Sequence, residues 1–228
     1  MFGYCGNLDI RPFASSVFPA PRKLRVLLPQ GYRTNRAQHY PALYLNDGQN
    51  LFDACTSIFG NGEWRVDEAV ATLVAEKRIA PLIVVGVDTG GRQLRPREYL
   101  PWPDETLKPE VPDPQGRFYP KFLLDEVVPY VENHYRVLPG AEHRAIGGSS
   151  YGAGIALYTV IQRPGSFGGL LLEIISFGTI GSGCCTSILA PDRGRISGMK
   201  TTLGIGARCS VVRDDFTAAN TLAIRTSP

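Results

Sequence analysis

Ser150 has neighbours that could make it a nucleophile. It sits in Gly148-Ser149-Ser150-Tyr151-Gly152, a G-x-S-x-G pattern. A short apolar run precedes the pattern and helical spacing follows it. A serine on a sharp strand-to-helix turn presents its hydroxyl outward, where it can attack an acyl carbon. The bare pattern arises by chance in roughly one chain in seven of such composition, so its flanks must carry the reading. Gly148 and Gly152 permit the close backbone approach that a strained turn needs. Ile155, Tyr158 and Ile161 recur at helical spacing, and Arg163-Pro164-Gly165 ends the helix. The bland alternative is a glycine-rich turn that only packs.

A serine needs a general base, and the sequence withholds the usual one. No histidine follows Ser150 in this chain. His39 precedes a strand that begins near Ala42, and His143 precedes the strand running into Ser150. Both are therefore expected at the N-terminal ends of strands, whereas catalytic groups of open parallel sheets gather at the C-terminal ends. Five strand residues span about 16 Å, which keeps His143 from the Ser150 hydroxyl. His134 falls late in a helix, near that same wrong edge. All three read as surface or structural histidines.

The elements that must position Ser150 alternate between strand and helix. Lys23 to Leu28, Ala42 to Asn46, Leu82 to Val87 and Gly169 to Ile175 read as strands. Leu82 to Val87 is continuously apolar and rich in β-branched residues, as in a strand buried on both faces. Asp67 to Arg78 and Phe118 to Tyr135 read as helices, the second kinked at Pro129. Gly90 to Gly116 reads as a long polar loop holding Trp102. Strands alternating with helices predict an α/β fold, a doubly wound and mostly parallel sheet.

Composition narrows the function. The chain has 228 residues, 43% apolar and 20% charged, with a net charge of +3. That length suits one large α/β domain. No basic run supports nucleic-acid binding. No stretch of about 18 apolar residues predicts a membrane span. Met1 to Cys5 does not resemble a signal peptide. The five cysteines have no regular spacing, so free thiols and a cytoplasmic setting are expected. Asp47, Asp53, Asp67 and Asp88 lack metal-ligand spacing. Gly86 to Gly91 lacks the lysine of a phosphate loop, so no cofactor or metal is expected.

After Glu173 the character changes. Residues 174–228 contain no Glu, Tyr, Trp or His, and neither helical nor strand period persists. The division expected is a domain over 1–173 and an atypical tail over 174–228. The tail reads as a loop-rich end, or as out-of-frame or replaced sequence. Without cover from the tail, the strand ending at Ile175 would be an apolar edge open to self-association.

Several segments together resemble one family. They are Tyr44-Leu45-Asn46-Asp47-Gly48-Gln49-Asn50-Leu51-Phe52-Asp53, Glu63 to Ala69, Leu82 to Val87, Arg97-Glu98-Tyr99-Leu100-Pro101-Trp102, and Ala145 to Tyr158 with Arg163 to Gly168. They resemble the putative-esterase family of α/β hydrolases, which includes enterochelin esterases, formylglutathione hydrolases, feruloyl esterases and antigen 85-like mycolyltransferases. The resemblance spans roughly residues 8 to 173. It implies an α/β-hydrolase fold, truncated or altered at the C-terminus, and a small-molecule ester substrate. It implies Ser150 as nucleophile, with the backbone N–H groups of Tyr151 and Gln49 as oxyanion donors. Trp102 and Arg97-Glu98 fall where the family lines its pocket mouth; read alone, they are a loop anchor and an exposed ion pair. The family's acid and histidine follow the nucleophile. Here Asp192, Asp214 and Asp215 lack a strand-end context, and the histidine is missing. The expected function is a serine ester hydrolase, weak or inactive in this chain. The alternatives are a non-catalytic binding scaffold and an acyltransferase.

Overall fold

The computed structural model describes residues 7–60, 62–103, 110–175 and 184–189, the last strand by its backbone path. Seven strands form one sheet: β1 (Leu8–Phe13), β2 (Arg22–Leu27), β3 (Ala42–Asn46), β4 (Ile83–Val87), β5 (Arg144–Ser149), β6 (Gly169–Ile175) and β7 (Cys184–Leu189). Their order is β1-β2-β4-β3-β5-β6-β7. The inner strands β4, β3, β5 and β6 run parallel; β1, β2 and β7 join antiparallel. The expected α/β fold with a mostly parallel sheet is therefore present.

Helices cover both faces because the inner strands are apolar on both. Side chains alternate along a strand, so Tyr44 of β3 points to one face while Leu43 and Leu45 point to the other. On the Leu43 side packs α1 (Val66–Ala75), through Val66 and Val70. On the Tyr44 side packs α5 (Tyr151–Gln162), through Ile155, Ala156 and Val160. Beside α5 runs a composite helix made of α3 (Tyr119–Lys121), a π-helical segment (Phe122–Val127) and α4 (Val128–His134).

The composite helix refines the expected kink. Pro129 has no N–H to donate, and its ring crowds the carbonyl four residues back. The turn before it widens instead of breaking: the Val128 N–H bonds the Leu123 carbonyl, five residues back. Phe122, Leu123, Val127 and Val131 still reach the core.

One sequence expectation is corrected, and both edges of the sheet are filled in. The segment Gly90 to Gly116 is not purely loop, because it contains α2 (Arg95–Tyr99), with a proline in its first turn. Leu8–Phe13 forms an edge strand; Pro12 costs little there because an edge strand has one unpaired side. The β6 edge is not open, since β7 pairs with it from Leu170↔Leu189 to Ile175↔Cys184. The sequence Cys-Cys-Thr-Ser-Ile-Leu carries no charge or proline to oppose that pairing. The rest of the tail, with Asp192, Asp214 and Asp215, lies outside the described residues.

Candidate active site

The parallel strands all end at one rim, where open α/β sheets place their ligands. β3 delivers Asn46 and Asp47 there, β4 delivers Asp88, and β5 delivers Ser149 and Ser150. Ser150 has φ 55° and ψ −123°, backbone values that an L side chain rarely adopts. The turn is pinned on both sides. The Ser150 N–H bonds the Glu173 carbonyl on β6 at 2.9 Å, and the Ser150 carbonyl accepts the N–H groups of Ala153 and Gly154. A Cβ on Gly148 would lie 2.6 Å from the Gly152 backbone, and one on Gly152 would lie 2.9 Å from an Asp47 oxygen. These two glycines let strand, turn and helix touch. Ser150 itself is half-buried.

The second wall follows β3. Asp47 takes a left-handed conformation, φ 62°, and opens a 3₁₀ turn, Gly48–Asn50. Gln49 lies inside that turn, and Tyr151 is the first residue of α5. N–H groups at such first-turn positions have no intrahelical acceptor. The Gln49 side chain is buried rather than solvated. Its Oε1 accepts the Thr89 N–H at 3.2 Å, and its Nε2 reaches Asp47 Oδ1 at 3.5 Å. Its carbonyl accepts the Thr56 hydroxyl at 2.6 Å.

Buried polar contacts join the two walls. Asn46 Nδ2 donates to the Gly152 carbonyl at 2.7 Å, and Tyr119 donates to Asn46 Oδ1 at 2.5 Å. The Asp47 N–H bonds the Tyr99 hydroxyl at 3.1 Å. Arg95 grips the Asp47 carboxylate with Nε and Nη2 at 2.6 and 2.8 Å, and Nη2 also reaches the Ser149 carbonyl at 3.2 Å. Burial pushes the Asp47 carboxyl up, and the Arg95 guanidinium opposes that rise. Burial pushes the Tyr99 and Tyr119 phenols up as well, so both stay protonated hydrogen-bonding groups.

The sequence missed Arg95, Tyr119 and the linking role of Asn46. The signal for Arg95 was the helix-opening proline beside it, hidden within a segment rich in prolines. The expected pairing of Arg97 with Glu98 does not occur. Glu98 is buried against Arg22 at 2.8 Å, while Arg97 reaches Asp113 at 2.8 Å. Adjacent helical residues point in different directions, which explains the split. Trp102 is 62% exposed and meets the Tyr158 ring of α5 edge-on, as a loop anchor would.

The histidines stand elsewhere. His39 is exposed, just before β3. His134 ends α4 and stacks on Tyr130. His143 lies beside Glu142 before β5, whose six residues put Ser150 about 20 Å further along. No helix among the described residues is long and apolar enough to cross a membrane. No cluster of three or more His, Cys, Asp or Glu side chains placed to hold a metal ion occurs among the described residues.

A family model described as "Putative esterase" matches residues 15–172. The uncharacterized protein YbbA of Bacillus subtilis (strain 168) is 25% identical over 149 residues, which is 64% of this chain and 54% of YbbA. A solved ferulic acid esterase is 26% identical with a TM-score of 0.52, covering 70% of this chain and 56% of that one. The ferric enterobactin esterase of Salmonella typhimurium shares the fold at 19% identity and a TM-score of 0.56, covering 76% of this chain and 37% of that one. The chain thus spans about half the length of the relatives it matches.

Proposed function

Because the chain belongs to the "Putative esterase" family, we propose that it carries the nucleophile half of a serine ester hydrolase acting on small-molecule esters. Ser150 attacks the acyl carbon and the ester's alcohol leaves. Water then attacks the acyl-serine, releasing the acid and restoring the hydroxyl. The Tyr151 and Gln49 N–H groups bind the oxyanion formed at each attack, an effect of about 3 kcal/mol per donor. The observation that carries this reading is the Ser150 backbone, φ 55° and ψ −123°, between a strand end and a helix start. Such strain is kept where the surroundings enforce it, and here Gly148, Gly152 and Glu173 do so.

The second reading is a non-catalytic scaffold, and the placement of the three histidines favours it for this chain. Without an imidazole base, a serine triad loses about a million-fold in kcat, leaving about 10³–10⁴ over water from the oxyanion hole and binding. The proposal is therefore a weak or inactive esterase in a cytoplasmic setting. Acyl transfer would differ only in an alcohol replacing water.

The test is hydrolysis of a short-chain p-nitrophenyl ester by wild type and Ser150→Ala. A small rate lost in the variant is expected of the weak esterase. Equal background rates from two folded proteins would leave the scaffold reading standing and remove the hydrolase.

A further inference from the structure

One buried cation touches both walls of the site. Arg95 holds both oxygens of Asp47, the residue before the Gly48–Asn50 turn. The same guanidinium donates to the carbonyl of Ser149, the residue before Ser150. Three rings wall it in: Phe59 at 5.0 Å, Tyr99 at 5.3 Å and Tyr151 at 5.6 Å from its centre. The two residues it restrains flank or occupy strained backbone, since Asp47 and Ser150 both have positive φ. A planar fork fixes the angle and spacing of the groups it binds; a lysine ammonium offers a point charge without that fork. Asp47 passes the restraint onward, because Gln49 Nε2 reaches its Oδ1.

We propose that Arg95 is a positioning residue that clamps the Gly48–Asn50 turn to the Ser150 elbow and so fixes the spacing of the Gln49 and Tyr151 N–H groups. The catalytic consequence rests on reading those groups as oxyanion donors; the clamp itself does not. Releasing Arg95 frees two turns distant in sequence at once. A residue that only filled space would loosen its own neighbourhood without linking them.

The test uses the full chain as wild type, Arg95→Lys, and Arg25→Lys as a control on a different buried pair. Amide hydrogen exchange is followed in segments 47–51, 149–154 and 83–87, alongside kcat and KM for p-nitrophenyl acetate. In Arg95→Lys, exchange rises together by about tenfold or more in the first two segments and stays unchanged in 83–87. In Arg25→Lys, segment 149–154 is unchanged. Any Ser150-dependent kcat falls about 10- to 100-fold in Arg95→Lys with KM held. If Arg95→Lys does not fold, Arg95→Met with Asp47→Asn removes both buried charges, keeps a residue that tolerates the left-handed turn, and gives the same paired loosening. Loosening of only one segment, or of neither, overturns the clamp. Paired loosening with unchanged kcat supports the clamp and removes the oxyanion reading.

Discussion

The two ends of the parallel strands are built on opposite principles. At the C-terminal rim charge is buried and paired: Arg22 with Glu98, Arg25 with Asp88 and Arg95 with Asp47, each at 2.8 Å or less. At the N-terminal end the Arg144–Glu132 pair is more open, with side chains 21% and 39% exposed. Burying an ion pair gains little net stability, because desolvation offsets attraction. Three such pairs at one rim are better explained by the geometry they hold. Each joins segments far apart in sequence, and the Arg95 pair joins the two strained turns.

Breaking a pair at each end is the strongest way to test that contrast. Arg25→Met strands the Asp88 carboxylate in the interior, and an uncompensated buried charge costs about 3–5 kcal/mol. Glu132→Gln breaks an open pair worth about 0–1 kcal/mol. Urea unfolding of both variants measures the difference, and equal costs would erase the distinction between the ends.

Glycine substitutions sharpen the comparison within a single turn and helix. Gly148→Ala drives a methyl to 2.6 Å from the Gly152 backbone, so a cost of about 2–3 kcal/mol is expected. Gly154→Ala, one turn into α5, meets nothing within 4 Å. It replaces a poor helix former with the best one and should stabilise by about 0.5–1 kcal/mol. Opposite signs in the two melting temperatures are the expected result. A harmless Gly148→Ala would mean that the elbow does not need its close contact.

A smaller effect lies at the start of α1. Burial, with a hydrogen bond and repulsion from Glu68, raises the Asp67 carboxyl to about 6. Asp67 Oδ1 and Glu68 Oε2 are both buried with no other donor, and one proton shared between the two carboxyls would give each a partner. The folded value lies above the unfolded value of about 3.9, so the folded state holds the proton more tightly. The stability it confers is present below pH about 4 and is lost as pH rises through about 6. Asp67 is only partly buried, so screening cuts the effect to on the order of 1 kcal/mol. Asp67→Asn should flatten the stability curve between pH 4 and 6, and an unchanged slope would contradict the shared proton.

Much of this arrangement was legible in the sequence, for physical reasons that differ by element. β3 was read to the residue because its Leu-Tyr-Leu run ends in Asp47-Gly48, and β6 because leucines and isoleucines follow two glycines. The elbow was legible because glycine spacing reports a backbone constraint. Arg95 was not, because a guanidinium says nothing of its partner until α2 and β3 are folded together. β7 was not, because Cys184–Leu189 has neither clear alternation nor flanking strand signals. The burial of the Gln49 side chain depends on Thr89, forty residues away, and no local pattern encodes that contact.

The smallest expected effects are at the end of the molecule that lacks the buried pairs. His39→Ala, His134→Ala and His143→Ala should each change stability by about 0.5 kcal/mol or less, since each ring is exposed or partly exposed and away from the core. None should alter a rate that depends on Ser150. His143 is the most demanding case, because it lies on the same strand connection as the nucleophile. A strand cannot shorten, so about 20 Å of β5 separates the two whatever rotamer the imidazole takes. Loss of Ser150-dependent turnover in His143→Ala could arise only if a second chain brought its histidine to this rim. A rate that rises with the square of protein concentration would reveal that arrangement. A rate linear in concentration and indifferent to all three substitutions would mean that no imidazole of this chain serves Ser150.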